Sequence, residues 1–305
     1  MQEPNACHRV SAQSANMPLE VRQANPESIQ LPRTVGGRDA APSEWDAWAE
    51  EPGHDLIALD GARAIGGLHV SLVGRSEAWL EMLRVLPEYR GRGVAAQLVR
   101  EGEQVARKYG AGTVRTAVPA HEYAALGVAE RAGFRRLLQC VVLEADLSPG
   151  PLHLPYDAPS RVPQGADAAD VLRFAEQTQT LSAWEGLIPL GWRFRRITIE
   201  VVRGLIKDRR TAVAMQQNPE EAVLQGIAMF NVQEAAAIFS LIDGTPSGMQ
   251  GSLSLAVETA RDGMAERLTV FASDLHALDP LEIRSWTPHL WCPEGLIVVE
   301  KRLAS

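Results

Sequence analysis

Between Glu77 and Pro119 the spacing of apolar residues changes period twice, and this constrains the fold more than any other feature. Glu77 to Val85 alternates as a strand and stops at Pro87, which has no N–H to give to a ladder. Two glycines follow, Gly91 and Gly93, and then Val94, Ala95, Leu98, Val99, Gly102, Val105 and Ala106 fall on one helical face. The helix ends near Tyr109-Gly110, and Thr113 to Val118 alternates again. A strand, a glycine turn, a helix and a second strand in this order predict an α/β chain in which a helix covers a sheet.

The turn can be read in more than one way. Gly91-Arg-Gly93-Val-Ala-Ala96 has the G-x-G-x-x-A spacing of a dinucleotide fingerprint. That motif needs its glycines directly after the first strand of a parallel βαβ unit and a carboxylate about 20 residues later. Here Leu86 to Arg90 intervene, the next strand carries no carboxylate, and the strands upstream form hairpins, so the dinucleotide reading fails. A Walker loop fails as well, since no Lys-Ser/Thr pair follows. Glycines let successive N–H groups turn inward, and a helix starting near Val94 adds its positive end, which suits a pyrophosphate. Arg90 and Arg92 supply charge, and Ala95 and Ala96 allow close approach. A plain strand-to-helix turn with solvated arginines would use the same residues.

Upstream, Leu19 to Ala24 reads as a weak strand and Pro42 to Glu50 as a patchy helix. Asp55 to Leu59 and Ala64 to Val73 form a hairpin about Asp60-Gly61. Downstream come a helix from Glu122 to Arg131, closed by Gly133, and a strand from Leu137 to Leu147. The proline-dense segment 148–165 reads as a linker between domains at 17–147 and 166–305, with 1–16 as a flexible tail. The second part predicts helices at Ala168 to Leu181 and Arg193 to Lys207, then strands at Thr211 to Met215, Val223 to Val232 and Ala235 to Leu241. A helix from Ser252 to Arg261 and strands at Arg267 to Phe271 and Leu296 to Leu303 complete it. Gly66-Gly67-Leu68 and Gln225-Gly226-Ile227 hold equivalent places, which suggests a divergent duplication.

With 30 basic and 38 acidic side chains in 305 residues the net charge is -8, and no basic face is evident for nucleic acid. Cys7, Cys140 and Cys292 lie far apart, with no paired Cys/His spacing for a metal and no disulfide framework. No apolar run approaches a membrane span and no signal-peptide pattern opens the chain, so the expectation is a cytoplasmic protein without membrane partners. A monomer or homodimer is expected.

The run "LRVLPEYRGRGVAAQLVREGEQVARKYGAGTVRTAV" closely resembles the GNAT acetyltransferase superfamily, whose members carry L-x-V-x-P-x-[YF]-R-x-x-G-x-[GA] between the fourth strand and third helix. Leu83, Val85, Pro87, Tyr89, Arg90, Gly93 and Ala95 match it, and Gly133-Phe134 matches a later turn of the family. The resemblance covers roughly Leu19 to Leu147. It implies two fused GNAT-like domains, each a mixed, mostly antiparallel twisted sheet flanked by helices, the second one degenerate. It also implies that the N–H groups of Arg90, Gly91, Arg92, Gly93, Val94 and Ala95 bind the pyrophosphate of acetyl-CoA, and that the strand through Leu83 and Val85 pairs with the pantetheine. The implied activity is acetyl transfer from acetyl-CoA to a primary amine of a small molecule or peptide. A non-catalytic acyl-CoA binding or sensing protein is the alternative.

The sequence also departs from the family. Where a tyrosine often protonates the leaving thiolate it has Ala129, and where an asparagine is often met it has Glu122. Tyr123 is expected to pack rather than to replace that acid. Glu81 is the candidate proton acceptor, because it shares strand parity with Leu83 and Val85. His69 and His121 are weaker candidates, and His69 is expected to be a hydrogen-bonded structural residue. In the second half Asp243, Gly244 and Pro246 replace the arginine-rich turn, so a second pyrophosphate site is not expected. Trp286, His289 and Trp291 are candidates for lining an acceptor cleft, or for core packing.

Overall fold

Alternation gives strands where it is longest, and a computed structural model of the chain bears this out across residues 19–23, 53–74, 76–147, 158–216, 223–233, 235–283 and 285–304, which are the residues it describes. The expected tail at 1–16, the helix at 42–50 and the first part of the linker, 148–157, lie outside the described residues. Contacts divide the chain into two units, Met1–Ser71 with Met82–Val105, and Leu72–Glu81 with Ala106–Ser305.

In the first unit β1 (Glu20–Gln23), β2 (Gly53–Asp60) and β3 (Arg63–Val73) run antiparallel, with Glu20 opposite Leu59 and Leu56 opposite Leu68. Gly61 turns the hairpin at φ 60°, a left-handed conformation that costs glycine little. Strand β4 (Glu77–Val85) enters this unit at Met82, and α1 (Val94–Lys108) belongs to it through Val105. Gly66 lets the helix lie close, because a Cβ there would sit 3.0 Å from Arg84 O and 3.1 Å from Leu98 Cδ1. Val94 and Leu98 are buried on that contact, so the helix start is fixed by packing.

In the second unit the first residues of β4, Glu77–Trp79, pair in parallel with Thr113–Arg115 of β5 (Thr113–Pro119). The chain continues through α2 (Tyr123–Arg131), β6 (Arg135–Asp146), β7 (Ser160–Arg161), α3 (Ala168–Glu176), α4 (Gln179–Ala183), β8 (Leu187–Leu190) and β9 (Arg193–Arg196). Then come α5 (Ile199–Lys207), β10 (Thr211–Met215), β11 (Leu224–Gln233), β12 (Ala236–Gly244), α6 (Pro246–Asp262), β13 (Arg267–Ala272), β14 (Thr287–Pro288) and β15 (Leu296–Arg302). Side by side the strands run β5-β15-β6-β13-β12-β11-β10-β7, mostly antiparallel. Strand β6 is long enough for two partners: Arg135 to Cys140 face β15, and Val141 to Asp146 face β13. Apolar side chains of both sheet faces meet those of the helices: Phe230, Phe239 and Leu268 share a cluster with Leu253 of α6, and Ile188 and Ile227 share one with Val171 of α3 and Val202 of α5.

The β4–α1–β5 arrangement recurs. Ala236 to Phe239 of β12 pair in parallel with Arg267 to Val270 of β13, and α6 connects the two strands. Three details differ from the sequence expectation. The helix expected from Arg193 is a strand as far as Arg196, because a turn at Gly191, φ 67°, folds it back on β8, and α5 starts only after the Thr198 hydroxyl caps Val201 N at 3.3 Å. The helix expected from Ala168 to Leu181 breaks at Thr178, whose hydroxyl caps Leu181 N and starts α4. Helix α6 begins at Pro246 rather than at Ser252, with proline in the first turn where a missing N–H costs nothing. Among the described residues no helix is long and apolar enough to cross a membrane.

Candidate active site

Beyond Val85 a single turn, Pro87–Tyr89, leads to Arg90 in extended conformation with ψ 152°. Gly91 and Gly93 then take φ 75° and 83°, and α1 starts at Val94. An L side chain at either glycine would be strained, yet a Cβ there would meet nothing within 4 Å. The glycines therefore serve the backbone path rather than close packing, and the space in front of them is open. Gln97 N donates to Gly93 O at 3.0 Å, so the N–H groups of Val94, Ala95 and Ala96 precede the intrahelical ladder. The first turn carries no acidic residue, which leaves its positive end uncompensated.

The side chains brace this loop from behind. Arg90 Nε donates to Val85 O at 3.2 Å. The Tyr89 ring carries the guanidinium of Arg92 at 5.1 Å and that of Arg63 at 5.5 Å from its centroid. Tyr89 Oη donates to Asp60 at 2.8 Å, a bond that raises the phenol above its ordinary pKa, and Arg63 pairs with Glu88 at 2.6 Å. Tyr89 is thus a platform for the loop, a role that only its position in the family pattern hinted at. Leu83 and Val85 are half-buried on β4. Met82 between them and Glu81 has φ 55°, which interrupts the alternation on which the shared face of Glu81, Leu83 and Val85 was based.

Glu81 is held from the second half of the sequence. Arg193 forks it, Nε to Oε1 at 2.5 Å and Nη2 to Oε2 at 2.9 Å, with side chains only 11% and 17% exposed for Glu81 and Arg193. The ladder between β4 and β5 runs from Glu77 opposite Thr113 to Trp79 opposite Arg115, two residues before Glu81. Ala129 is buried and offers no proton. Tyr123 does not pack as expected: it is 74% exposed, on the solvent side of the first turn of α2. His69 is buried with Nδ1 2.8 Å from Asp55 Oδ1, the hydrogen-bonded structural role expected of it. His121 is half-buried at the start of α2, 4.0 Å from Glu122.

The counterpart of the loop in the second half is closed by its own backbone. A Cβ on Gly226 would lie 2.1 Å from Gly248, and one on Gly248 would lie 2.2 Å from Gln225 O. Strand β11 and the start of α6 are therefore in backbone contact. Thr245 caps α6 by accepting from Gly248 N at 3.1 Å, and Asp243 accepts from Gly244 N at 2.7 Å and Thr180 N at 3.0 Å. Of the aromatic candidates, His289 and Trp291 both meet Trp192 edge to face, at 4.8 and 5.2 Å. Trp286 instead lines a recess of about 320 Å³ with Leu275, Leu278, Asp279, Glu282 and Ile283. Burial holds the His289 imidazole below its usual pKa, and Cys292 beside it is pushed up to about 12 by burial, so its thiol is not a nucleophile.

Residues 20–134 match the model of the Acetyltransferase (GNAT) family. Among solved structures the chain is similar to a GCN5-related N-acetyltransferase from Sphaerobacter thermophilus, with 14% identity, 93% of this chain and 95% of that chain covered, and a TM-score of 0.64. It is also similar to a tandem GNAT protein from the clavulanic acid biosynthesis pathway, with 14% identity, coverage of 94% and 99%, and a TM-score of 0.55. These likenesses concern the fold. No curated protein matches the sequence.

Proposed function

We propose that this chain, whose residues 20–134 match the acetyltransferase (GNAT) family model, transfers an acetyl group from acetyl-CoA to a primary amine of a small molecule or peptide. The observation that carries the reading is the open loop with left-handed Gly91 and Gly93, which leads into a helix whose first turn holds no acidic residue. In this reading the N–H groups from Arg90 to Ala95 hold the pyrophosphate and β4 from Leu83 to Val85 lies along the pantetheine. The amine nitrogen attacks the thioester carbonyl, a C–N bond forms, and the C–S bond breaks to release the thiolate. Glu81 takes the proton that the attacking nitrogen loses, held in one orientation by Arg193. Buried Ala129 gives the thiolate no acid, so water or another group must protonate it. The segments 17–147 and 166–305 act as a working GNAT domain and a supporting one.

Release of free thiol from acetyl-CoA, followed across a panel of amines, tests the reading. Amine-dependent release supports a transferase, whereas binding of acetyl-CoA without release under any amine favours a non-catalytic acyl-CoA binding protein.

A further inference from the structure

Strand β9 alternates as a strand must: Phe194 is fully buried, while Arg193 and Arg195, two residues apart, share the other face. Arg193 is committed to Glu81. Arg195 is half-buried, and among the described residues it has no hydrogen bond or ion pair. The face therefore carries two positive charges, of which Arg193 is paired with Glu81. Burial, and next the charge of Arg195, pull the Arg193 guanidinium down to about 10, so the two cations feel each other. The hairpin that carries them is fixed at its turn, where Trp192 meets Phe271, His289 and Trp291 edge to face. Half-buried like charges without a counter-ion are costly, and a guanidinium fork matches a planar carboxylate best.

We infer that Arg195, beside Arg193, binds a carboxylate of the acceptor, and that the acceptor is a small amino-carboxylate. The inference rests on the reading of Glu81 as the group that meets the acceptor's amine. Glu81 takes the ammonium end and Arg195 the carboxylate end of one molecule. A simple amine or an internal lysine of a peptide lacks the second group. Arg195 is a specificity-determining residue here, with no part in bond making.

The test is calorimetric, on the full chain, with and without CoA. The common amino acids, β-alanine and γ-aminobutyrate are titrated beside the amines that each would give on decarboxylation. At least one amino-carboxylate should bind more tightly than its decarboxylated partner by roughly tenfold or more, the size of one lost charge-assisted contact. Arg195→Met should remove that preference, Arg195→Lys should keep part of it, and both should leave the affinity for CoA unchanged. Equal binding of both series, or binding of neither, overturns the inference. So does loss of CoA affinity in Arg195→Met, which would place Arg195 on a phosphate of the coenzyme. Should Arg195→Met fail to fold, the paired titrations of the wild-type chain decide alone. Failure of the transferase reading itself shows separately, as absence of amine-dependent thiol release from acetyl-CoA by the same chain.

Discussion

Arg115 and Glu300, 185 residues apart in sequence, form a buried ion pair in which Nε and Nη2 of the arginine each lie 2.9 Å from Oε2 of the glutamate. Arg115 Nη1 also lies 2.9 Å from Glu77, and Arg135 reaches the second oxygen of Glu300 at 3.1 Å. The cluster ties β4, β5, β6 and β15 together where β15 lies between β5 and β6. Removing one partner of a buried pair strands the other, at a cost of about 3 to 5 kcal/mol. Glu300→Ala should therefore lower the unfolding free energy by about that amount in urea, with the slope of the transition unchanged.

The same carboxylate gives a pH dependence. Burial raises its pKa, but Arg135 and Arg115 outweigh burial and hold Glu300 below the ordinary carboxylate value. A group lowered on folding contributes its full stabilisation above its unfolded pKa and loses it as pH falls through the lowered folded value. The stability difference between wild type and Glu300→Gln should be full at neutral pH and shrink in acid. A difference that grows on acidification would contradict the assignment.

The loop glycines are constrained by backbone alone. Gly93 at φ 83° has open space around its Cα, so Gly93→Ala costs about 1 to 2 kcal/mol of strain without a clash. Its new methyl group stands in the open space, and acetyl-CoA affinity should drop well beyond the loss in stability. Arg90→Ala and Arg92→Ala remove exposed charge, so each should weaken acetyl-CoA by no more than roughly tenfold, and less at high salt.

Gly248 makes the opposite prediction. A Cβ there would meet Gln225 O at 2.2 Å, backbone that cannot swing aside. Gly248→Ala should destabilise the chain by more than about 2 kcal/mol in thermal or urea unfolding. Acetyl-CoA affinity of the folded fraction should stay as in wild type, since the proposed coenzyme loop lies at Arg90 to Ala95.

The local part of the fold was legible because its signals lie within one stretch: Pro87, Gly91, Gly93 and the helical face from Val94 come in the order in which the chain uses them. The hairpin of β8 and β9 was not. Arg193, Phe194, Arg195 and Arg196 lead straight into the apolar face of α5, and only the Gly191 turn and the Thr198 cap separate strand from helix. The place of β15 between β5 and β6, and the fork of Arg193 on Glu81, join residues more than a hundred positions apart. No local periodicity records such pairings. In the candidate site the loop was read from the resemblance of Leu83 to Ala95 to the family pattern, whereas the surroundings of Glu81 depended on tertiary contact.

Titration of the full chain with acetyl-CoA in a calorimeter tests the central claim most directly, because it asks where the coenzyme binds and how many times. The account predicts one site per chain, absent in a folded Gly93→Val variant, whose side chain fills the space before the helix and stiffens a left-handed residue. Two sites per chain, or a single site that survives in folded Gly93→Val, would contradict it.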